Sequence, residues 1–440
     1  EYEPVGDNGY KIVGYHGEDA TVSVPNYYTT DKYGKRPIVQ ITDNAFAGKN
    51  ISTFYVAKEN TYFRVHDGVL YDVNREKLIS YPSANERKTF TAYDKTEKIA
   101  PYAFYGAKNL TQIILPAGIN EIGEYAFAEC GNLEWFEIPA DVTAIAKGTF
   151  YCLENSNMKS LRMGNKITEI KDNAFFGLNS LTELQLSATL ESLGNEVFVG
   201  CDSLRSVGIA NTNKTFTVFN GALYKNNTTQ TNPYQYLYLY PAKYSAISAT
   251  EYAVNKDTRM VMSGAFNNVT LVCIDFETDE IEFQTRSIVA PSLYAVRFAK
   301  TKVNAAENAL GGFLPEIIYY REGASLPDEF DESRRVKYTN DTWTSFNEYY
   351  LGSFSYVVDE NRNVTIVGYK GTDKSVTIPT QIGGFPVVAI GKYAFADNVN
   401  ITEVEFSDGI VLISEYAFYN CKNLTKAVFG KSRTSIGNKA

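Results

Sequence analysis

The dipeptide Ala-Phe recurs along this 440-residue chain at a nearly constant interval, and this period constrains the fold more than any other feature. The dipeptide or a close variant stands at Ala103-Phe104, Ala126-Phe127, Thr149-Phe150, Ala174-Phe175, Val197-Phe198, Ala265-Phe266, Ala394-Phe395 and Ala417-Phe418. The step is 23 residues from position 103 to 126, 126 to 149, 174 to 197 and 394 to 417. Such a period is typical of a solenoid, in which each coil buries its apolar edge against its neighbours.

One full repeat shows which part of each coil is a strand. Leu110, Ile113 and Leu115 fit a short strand whose apolar side chains point inward, and Pro116 ends that strand. A second extended segment around Ile122 returns along the other side of the coil. The Ala-Phe segment then predicts a short helical turn with the phenylalanine in the interior. Successive strands are expected to pair in parallel, about 4.8 Å apart.

Cysteines occupy a fixed position of the repeat, three residues after the phenylalanine. This position holds Cys130, Cys201 or Cys421 in three repeats, and Lys49, Ala107 or Leu178 in others. Because the position accepts these substitutes, we interpret it as a packing site and expect the three thiols to be buried and inert. Disulfides or nucleophilic thiols are the alternatives.

The combined pattern Ile-Gly-x-x-Ala-Phe-x-x-Cys-x-x-Leu-x-x-Ile-x-(Leu/Ile)-Pro resembles the repeat of the BspA-like bacterial cell-surface leucine-rich-repeat family over most of the chain. The predicted fold is accordingly an α/β repeat. It is a right-handed leucine-rich-repeat solenoid with a parallel strand stack, short helical turns, β-rich N-terminal caps and inserted β-hairpins. The resemblance implies a secreted or cell-surface bacterial protein that adheres to molecules on host or bacterial surfaces. It implies no catalytic residues.

Two segments that resemble each other stand outside the repeat. One, at about residues 1–40, contains Ile-Val-Gly-Tyr-His-Gly, and the other contains Ile-Val-Gly-Tyr-Lys-Gly from residue 366. We predict that each caps the open edge of a strand stack. The chain would then comprise a first capped array, residues 1–345, and a second cap with a truncated array, residues 346–440. Trp343, in the polar linking stretch, is interpreted as a closing plug, with ligand binding as the alternative.

Insertions lengthen two steps of the repeat, at about residues 61–92 and 214–255. Each contains an Asx-Gly pair between apolar residues, Asp67-Gly68 in the first and Asn220-Gly221 in the second. Such pairs are strong signals for a β-hairpin, because both residues adopt the left-handed conformation that a tight hairpin turn requires. Between about residues 270 and 320 the Ala-Phe position is mostly lost, while the strand rhythm persists.

Composition argues against several kinds of function. The formal charge is −9, with both signs interspersed, whereas a nucleic-acid partner requires a basic face. The two histidines, His16 and His66, lie far apart, so no catalytic, cofactor or metal site is predicted. No run of about 18 apolar residues is present, and we expect no membrane insertion by this segment. The pair Glu403 and Glu405 and the acidic run at 277–280 leave glycoside hydrolysis as a third-ranked function.

Alternation along the strands identifies a candidate binding face. If Ile113 and its equivalents point inward, their neighbours point outward, and four of these are predicted to contact a ligand: Tyr55, Ile114, Trp135 and Glu137. Solenoids commonly bind along such a face, and exposed aromatic side chains are favoured anchors. The alternative is that the inserted hairpins cover these residues.

The sequence therefore favours a binding or adhesion scaffold and not an enzyme. Its expected partner is a protein or glycan on a host or bacterial surface, and its expected location is extracellular or on the cell surface. The alternative from another functional class is a structural spacer that presents another domain without binding a ligand itself.

Overall fold

The computed structural model describes residues 1–226, 234–244, 251–271, 273–291, 293, 295–299, 301–315, 317–338, 349–351, 353–358, 363–382 and 385–440. Within these ranges the regular structure consists of short β-strands, most of them in parallel stacks, and one 3-10 helix.

The N-terminal segment forms a small mixed sheet. The strands of this segment are β1 (Tyr2–Val5), β2 (Gly9–Ile12), β3 (Thr21–Val24), β4 (Tyr27–Thr30) and β5 (Gly34–Ile41), and β6 (Thr53–Val56) follows. The sheet order is β1-β2-β5-β4, with β2 and β5 parallel, while β3 pairs in parallel with β6. Tyr10, Ile38 and Phe54 are fully buried beneath these strands, so the segment has an apolar core of its own.

An antiparallel hairpin interrupts the parallel stack after β6. It comprises β7 (Phe63–His66) and β8 (Val69–Asp72), and β9 (Lys77–Ser80) pairs antiparallel with β8. The turn residues Asp67 and Gly68 have φ values of +52° and +79°. Both lie in the left-handed region that two-residue hairpin turns require, which explains the Asp-Gly pair.

The regular repeats contribute two strands per coil. In chain order these are β10 (Thr89–Thr91), β11 (Lys98–Ile99), β12 (Gln112–Ile114), β13 (Glu121–Ile122), β14 (Trp135–Glu137), β15 (Ala144–Ile145), β16 (Ser160–Arg162), β17 (Glu169–Ile170), β18 (Glu183–Gln185), β19 (Ser192–Leu193) and β20 (Ser206–Gly208). Three-residue strands pair in parallel with each other, and two-residue strands do the same on a different side of the coil. The parallel stack predicted from the period is confirmed.

Phenylalanine rings form a continuous column through the core. The ring centroids of Phe104 and Phe127 are 5.1 Å apart, and those of Phe127 and Phe150 are 5.4 Å apart. Phe175 and Phe198 extend the column at spacings of 6.3 and 6.0 Å. These side chains are almost completely buried, so each ring loses its contact with water only because the adjacent coil covers it.

The prediction of short helical turns, and with it the α/β class, is wrong. Within the described residues the only helical element is the 3-10 helix Glu332–Arg334. The Ala-Phe segments are hydrogen-bonded turns, except that Phe266 begins a two-residue strand. In these turns the backbone N–H groups of Tyr102, Phe104 and Gly106 donate to carbonyls of the next coil, at 2.8–2.9 Å. The intervening N–H groups donate three residues back. Because every second N–H donates to the neighbouring coil and the others donate three residues back, these turns lack the i→i−4 hydrogen bonds of an α-helix.

The second insertion and the degenerate repeats follow β20. Their elements are β21 (Phe216–Phe219), β22 (Ala222–Lys225), β23 (Tyr236–Leu239), β24 (Glu251–Val254), β25 (Met260–Val261), β26 (Phe266–Asn267), β27 (Cys273–Phe276), β28 (Glu280–Phe283), β29 (Ile288–Val289), β30 (Ala295–Phe298), β31 (Lys302–Ala305), β32 (Ile317–Arg321), the 3-10 helix and β33 (Arg335–Tyr338). β21 and β22 form an antiparallel hairpin around Asn220-Gly221, and β24-β27-β30-β32-β33 is a parallel sheet. The strand rhythm therefore persists where the Ala-Phe position is lost.

The C-terminal part repeats the N-terminal topology. Its strands are β34 (Tyr349–Leu351), β35 (Phe354–Val358), β36 (Val364–Tyr369), β37 (Ser375–Thr377), β38 (Gln381–Ile382), β39 (Phe385–Ile390), β40 (Glu403–Glu405), β41 (Leu412–Ile413), β42 (Lys426–Val428) and β43 (Ser435–Ile436). The order β35-β36-β39-β38 reproduces β1-β2-β5-β4, including strand directions. The two similar sequence segments thus form the same arrangement. Their capping role and the boundary near residue 345 stay predictions, and Trp343 lies outside the described residues.

The cysteine position links adjacent coils. Cys130, Cys201 and Cys421 are free thiols, so the alternative of disulfides is excluded for them. The Sγ atom of Cys130 donates to the carbonyl oxygen of Phe104 at 3.0 Å, and Cys201 and Cys421 make the same contact to Phe175 and Phe395 at 3.3 and 3.0 Å. Burial raises the pKa of Cys130 and of Cys201 to about 12. Cys130 and Cys201 are buried in this packing position, as predicted, whereas Cys421 is only partly buried.

A pair of glycine substitutions tests how closely the coils pack. Gly177 and Gly34 both have positive φ, +78° and +67°. A Cβ atom added to Gly177 would lie 1.7 Å from the carbonyl oxygen of Cys152. A Cβ atom added to Gly34 would have no neighbouring atom within 4 Å. Gly34→Ala should lower the free energy of unfolding by about 1 kcal/mol, from backbone strain alone. Gly177→Ala should lower it by roughly 1–3 kcal/mol more, because the added atom also clashes with the next coil. Chemical denaturation measures both values. Equal losses would contradict this account of inter-coil contact.

The thiols provide a second test. At pH 8 Cys130 and Cys201 should be labelled by a thiol reagent at least about 100-fold more slowly in the folded than in the unfolded chain, because little thiolate forms below a pKa of about 12. Cys421, which is only half-buried, should react first. Peptide mapping by mass spectrometry gives each rate. The raised pKa values also favour folding below the ordinary thiol pKa, and this contribution is lost as the pH rises towards 12.

Candidate binding face

The outward side chains of β10, β12, β14, β16, β18 and β20 form two parallel columns, which we call the strand face. One column contains Thr89, Gln112, Trp135, Ser160, Glu183 and Ser206. The other contains Thr91, Ile114, Glu137, Arg162, Gln185 and Gly208. The central residue of each strand points inward and is buried, so the alternation predicted from the sequence sets which side chains reach solvent.

Three of the four predicted ligand contacts come together on this face. Ile114 lies on β12, and Trp135 and Glu137 lie on the next strand of the stack, β14. Just before these strands begin, the Glu134 N–H donates to the Thr111 carbonyl at 3.2 Å. The side chain of Ile114 is 41% exposed and that of Trp135 is 40% exposed, and Glu137 is exposed as well. The inserted hairpin therefore does not cover them.

Tyr55 lies apart from the other three. Its strand, β6, pairs with β3 along one edge, and along the other edge the Phe54 N–H donates to the Gly68 carbonyl at 2.9 Å. The turn of the first hairpin thus stands between β6 and the regular stack. Tyr55 is 58% exposed, but it does not share a continuous patch with Ile114 and Trp135.

Arg162 also belongs to the patch, although it is not among the four residues predicted from the sequence. Its strand β16 pairs with β14, and Arg162 is the register partner of Glu137, while Ser160 is the partner of Trp135. Both are exposed. The repeat period could have identified Arg162 as the equivalent of Glu137. The step between these two residues is 25 rather than 23, however, and this longer step hides the equivalence. The patch thus has an apolar centre of Ile114 and Trp135 with charges of both signs beside it.

The strand face ends at the second insertion. On β27 and β30 the outward positions are buried: Cys273, Asp275, Ala295 and Arg297 are each at most 8% exposed. Asp275 and Arg297 form an ion pair between the two strands. Burial of both members of a charged pair is costly unless they remain together. The two accessible columns of the strand face therefore do not continue onto β27 and β30.

Two of the acidic residues that suggested glycoside hydrolysis form ion pairs between coils. Glu403 pairs with Lys426 at 2.5 Å, and Glu280 with Lys302 at 2.9 Å; in both cases the two residues are register partners on adjacent parallel strands. The hydrogen bond from Lys302 lowers the pKa of Glu280. A general acid requires a raised pKa, so Glu280 has the opposite electrostatic setting.

The histidines are separate and make different contacts. His16 Nε2 lies 2.9 Å from the carboxylate of Glu1 at an exposed site, and the ring of His66 packs edge-on against Tyr93 at 5.1 Å. Among the described residues no group of three His, Cys, Asp or Glu side chains could hold a metal ion. A search of the same residues for a helix long and apolar enough to cross a bilayer found none.

The chain is similar to several solved structures. Solved structures that match include a leucine-rich cell-surface protein from Faecalibacterium prausnitzii A2-165, with 18% identity, coverage of 98% of this chain and 93% of that chain, and a TM-score of 0.42. The pneumococcal vaccine antigen PcpA matches with 16% identity, 100% and 96% coverage and a TM-score of 0.41. A leucine-rich repeat protein from Eubacterium ventriosum matches with 13% identity, 84% and 84% coverage and a TM-score of 0.42.

No curated protein sequence matches the chain. The BspA type leucine-rich repeat region matches it in six copies, over residues 81–205, 150–272 and 373–440, which together cover more than half of its length. These matches include the regular coils from β10 to β20 and the C-terminal coils from β37 to β43. The chain belongs to the BspA-type leucine-rich-repeat family.

Proposed function

We propose that this chain is a binding scaffold at a bacterial surface and that the patch around Ile114 and Trp135 binds a protein ligand. The observation that carries the proposal is that these two apolar side chains are both exposed on β12 and β14, which are successive strands of the strand face. Partly exposed tryptophan and isoleucine lose water contact when a partner covers them, and tryptophan is enriched among residues that dominate binding energy. A binding role rather than catalysis, and an extracellular location, are parts of this proposal.

The surroundings of the patch favour a protein over a nucleic acid or a strongly charged polymer. Glu137 and Arg162 are register partners on β14 and β16, and Glu183 follows on β18. Charges of both signs at the rim of an apolar centre are typical of protein interfaces, where they set orientation and association rate more than affinity. The strands hold these side chains in fixed register, so little conformational entropy is lost on binding.

A binding screen of the purified chain against matrix proteins and mucins, with immobilised glycans in parallel, tests the proposal. The double variant Ile114→Ser, Trp135→Ala should weaken saturable binding to a protein by roughly 30-fold or more, because each truncated anchor of this kind costs about 1–2 kcal/mol. Tyr55→Ala is the matched control. It removes an even more exposed aromatic side chain beyond the hairpin and should leave the affinity unchanged.

Thermal unfolding of all three proteins should coincide, since the substituted side chains already reach solvent. Protein binding that survives the double variant would place the site elsewhere on the molecule. Saturable binding of glycans alone would reassign the strand face to carbohydrate. Absence of binding to every partner tested would favour the structural spacer.

A further inference from the structure

A groove lies on the turn side of the coils, away from the strand face. Its volume is about 540 Å³, within the roughly 300–1,000 Å³ of common small-molecule sites. Lys49 and Asn50 line one end, Leu153 and Glu154 line the other, and Tyr105 lies between. The groove crosses the turns of several successive coils, so it exists only because those turns depart from the regular repeat.

The first departure is at the hairpin insertion. Tyr81 takes the place of the repeat phenylalanine: its N–H donates to the Ala103 carbonyl at 2.7 Å, and its ring stacks on Phe104 at 5.1 Å. The chain then turns inward, because the Ala84 N–H donates to the Ile51 carbonyl at 2.8 Å in the preceding coil. Ser83 and Ala84 therefore line the groove where a regular turn would continue the wall of coils.

The second departure is two extra residues in the step from position 149 to 174. They bring out Leu153, which is 70% exposed, and Glu154. The Glu154 carboxylate reaches across the intervening coil to the Nζ atom of Lys108 at 2.8 Å. This ion pair closes the far end of the groove.

The second hairpin insertion offers an internal comparison. There Tyr240 stacks on Phe266 as Tyr81 stacks on Phe104. The residues equivalent by repeat position to Asn50 and Tyr105 are Asp202 and Asn267, and their side chains meet at 3.5 Å. At the first insertion an aromatic ring replaces the amide of Asn267, and the corresponding space is the groove.

The chemistry of the lining points to a neutral ligand rich in hydroxyl groups. The charged side chains are Lys49, Lys108, Glu129 and Glu154, two of each sign, so the groove carries no net charge. The amide of Asn50 both donates and accepts, the carboxylates accept, and the ammonium groups donate. Tyr105 adds a partly exposed ring with a hydroxyl at its edge.

We propose that this groove binds the neutral terminal mono- or disaccharide of a glycan, stacked on Tyr105 and hydrogen-bonded by Asn50 and the Lys108–Glu154 pair. A sugar ring has one face of C–H groups that packs on an aromatic ring, and hydroxyls that both donate and accept. Zero net charge gives no attraction for a sulfated or sialylated terminus. The site is separate from the strand face and does not rest on the protein-binding proposal.

Saturation-transfer NMR of the full chain with lactose, N-acetyllactosamine, maltose and N,N′-diacetylchitobiose at millimolar concentrations tests this site. At least one should bind. Tyr105→Ala should weaken that binding at least about tenfold, because the stacking surface is lost. Tyr419→Ala is the matched control: it removes the tyrosine at the same repeat position in the C-terminal coils, 50% exposed, and should change nothing.

Asn50→Ala keeps the test decisive if Tyr105→Ala disturbs the fold, because Asn50 is exposed and its loss should weaken binding without altering circular dichroism. The double variant Ile114→Ser, Trp135→Ala should retain saccharide binding, which separates this site from the strand face. Absence of binding by all four saccharides would overturn the proposal. So would binding that survives both Tyr105→Ala and Asn50→Ala, or a preference for sialylated or sulfated glycans.

Discussion

The structure depends on hydrogen bonds between the turns of successive coils. In the coil around Phe104 every second backbone N–H donates to a carbonyl of the next coil, and the same pattern recurs at Phe127 and Phe175. These bonds hold neighbouring coils in a fixed register, which in turn stacks the phenylalanine rings and aligns the short strands. A strand of two or three residues has no stability alone, so the coils stabilise one another as a series.

The same turns carry an energetic cost that the repeat offsets. The residue two before the phenylalanine has positive φ in many coils, where glycine or asparagine is favoured. Tyrosine occupies this position at Tyr102, Tyr125, Tyr393 and Tyr416, with φ between +54° and +59°. The rings of Tyr102 and Tyr125 stack at 5.2 Å, as do those of Tyr393 and Tyr416. Stacking of tyrosine rings between adjacent coils thus offsets part of the backbone strain. It also places a row of aromatic rings along the turn side of the coils.

Departures from the regular repeat give this member of the family its individual surfaces. The first hairpin separates Tyr55 from the patch of Ile114 and Trp135, and it removes a regular turn above Tyr105. The two extra residues near Leu153 close the resulting groove. On β27 and β30, after the second hairpin, the outward positions are buried instead, including the ion pair of Asp275 and Arg297. Regular coils alone would present similar surfaces to one another, so the differences between the surfaces of this chain arise largely where the period changes.

The sequence by itself determined the solenoid, the parallel stack, the inward residues and the packing role of Cys130 and Cys201, because each follows from a period and from local alternation. Local patterns do not report which backbone donors are used between coils, and for that reason the helical turns predicted around Ala-Phe were wrong. The exposure of Ile114 and Trp135 followed from alternation, whereas the separation of Tyr55 did not. The groove at Tyr105 could not be predicted, since it joins residues from position 48 to 154. Only the tertiary structure decided such features, because they depend on how inserted segments pack between coils distant in sequence.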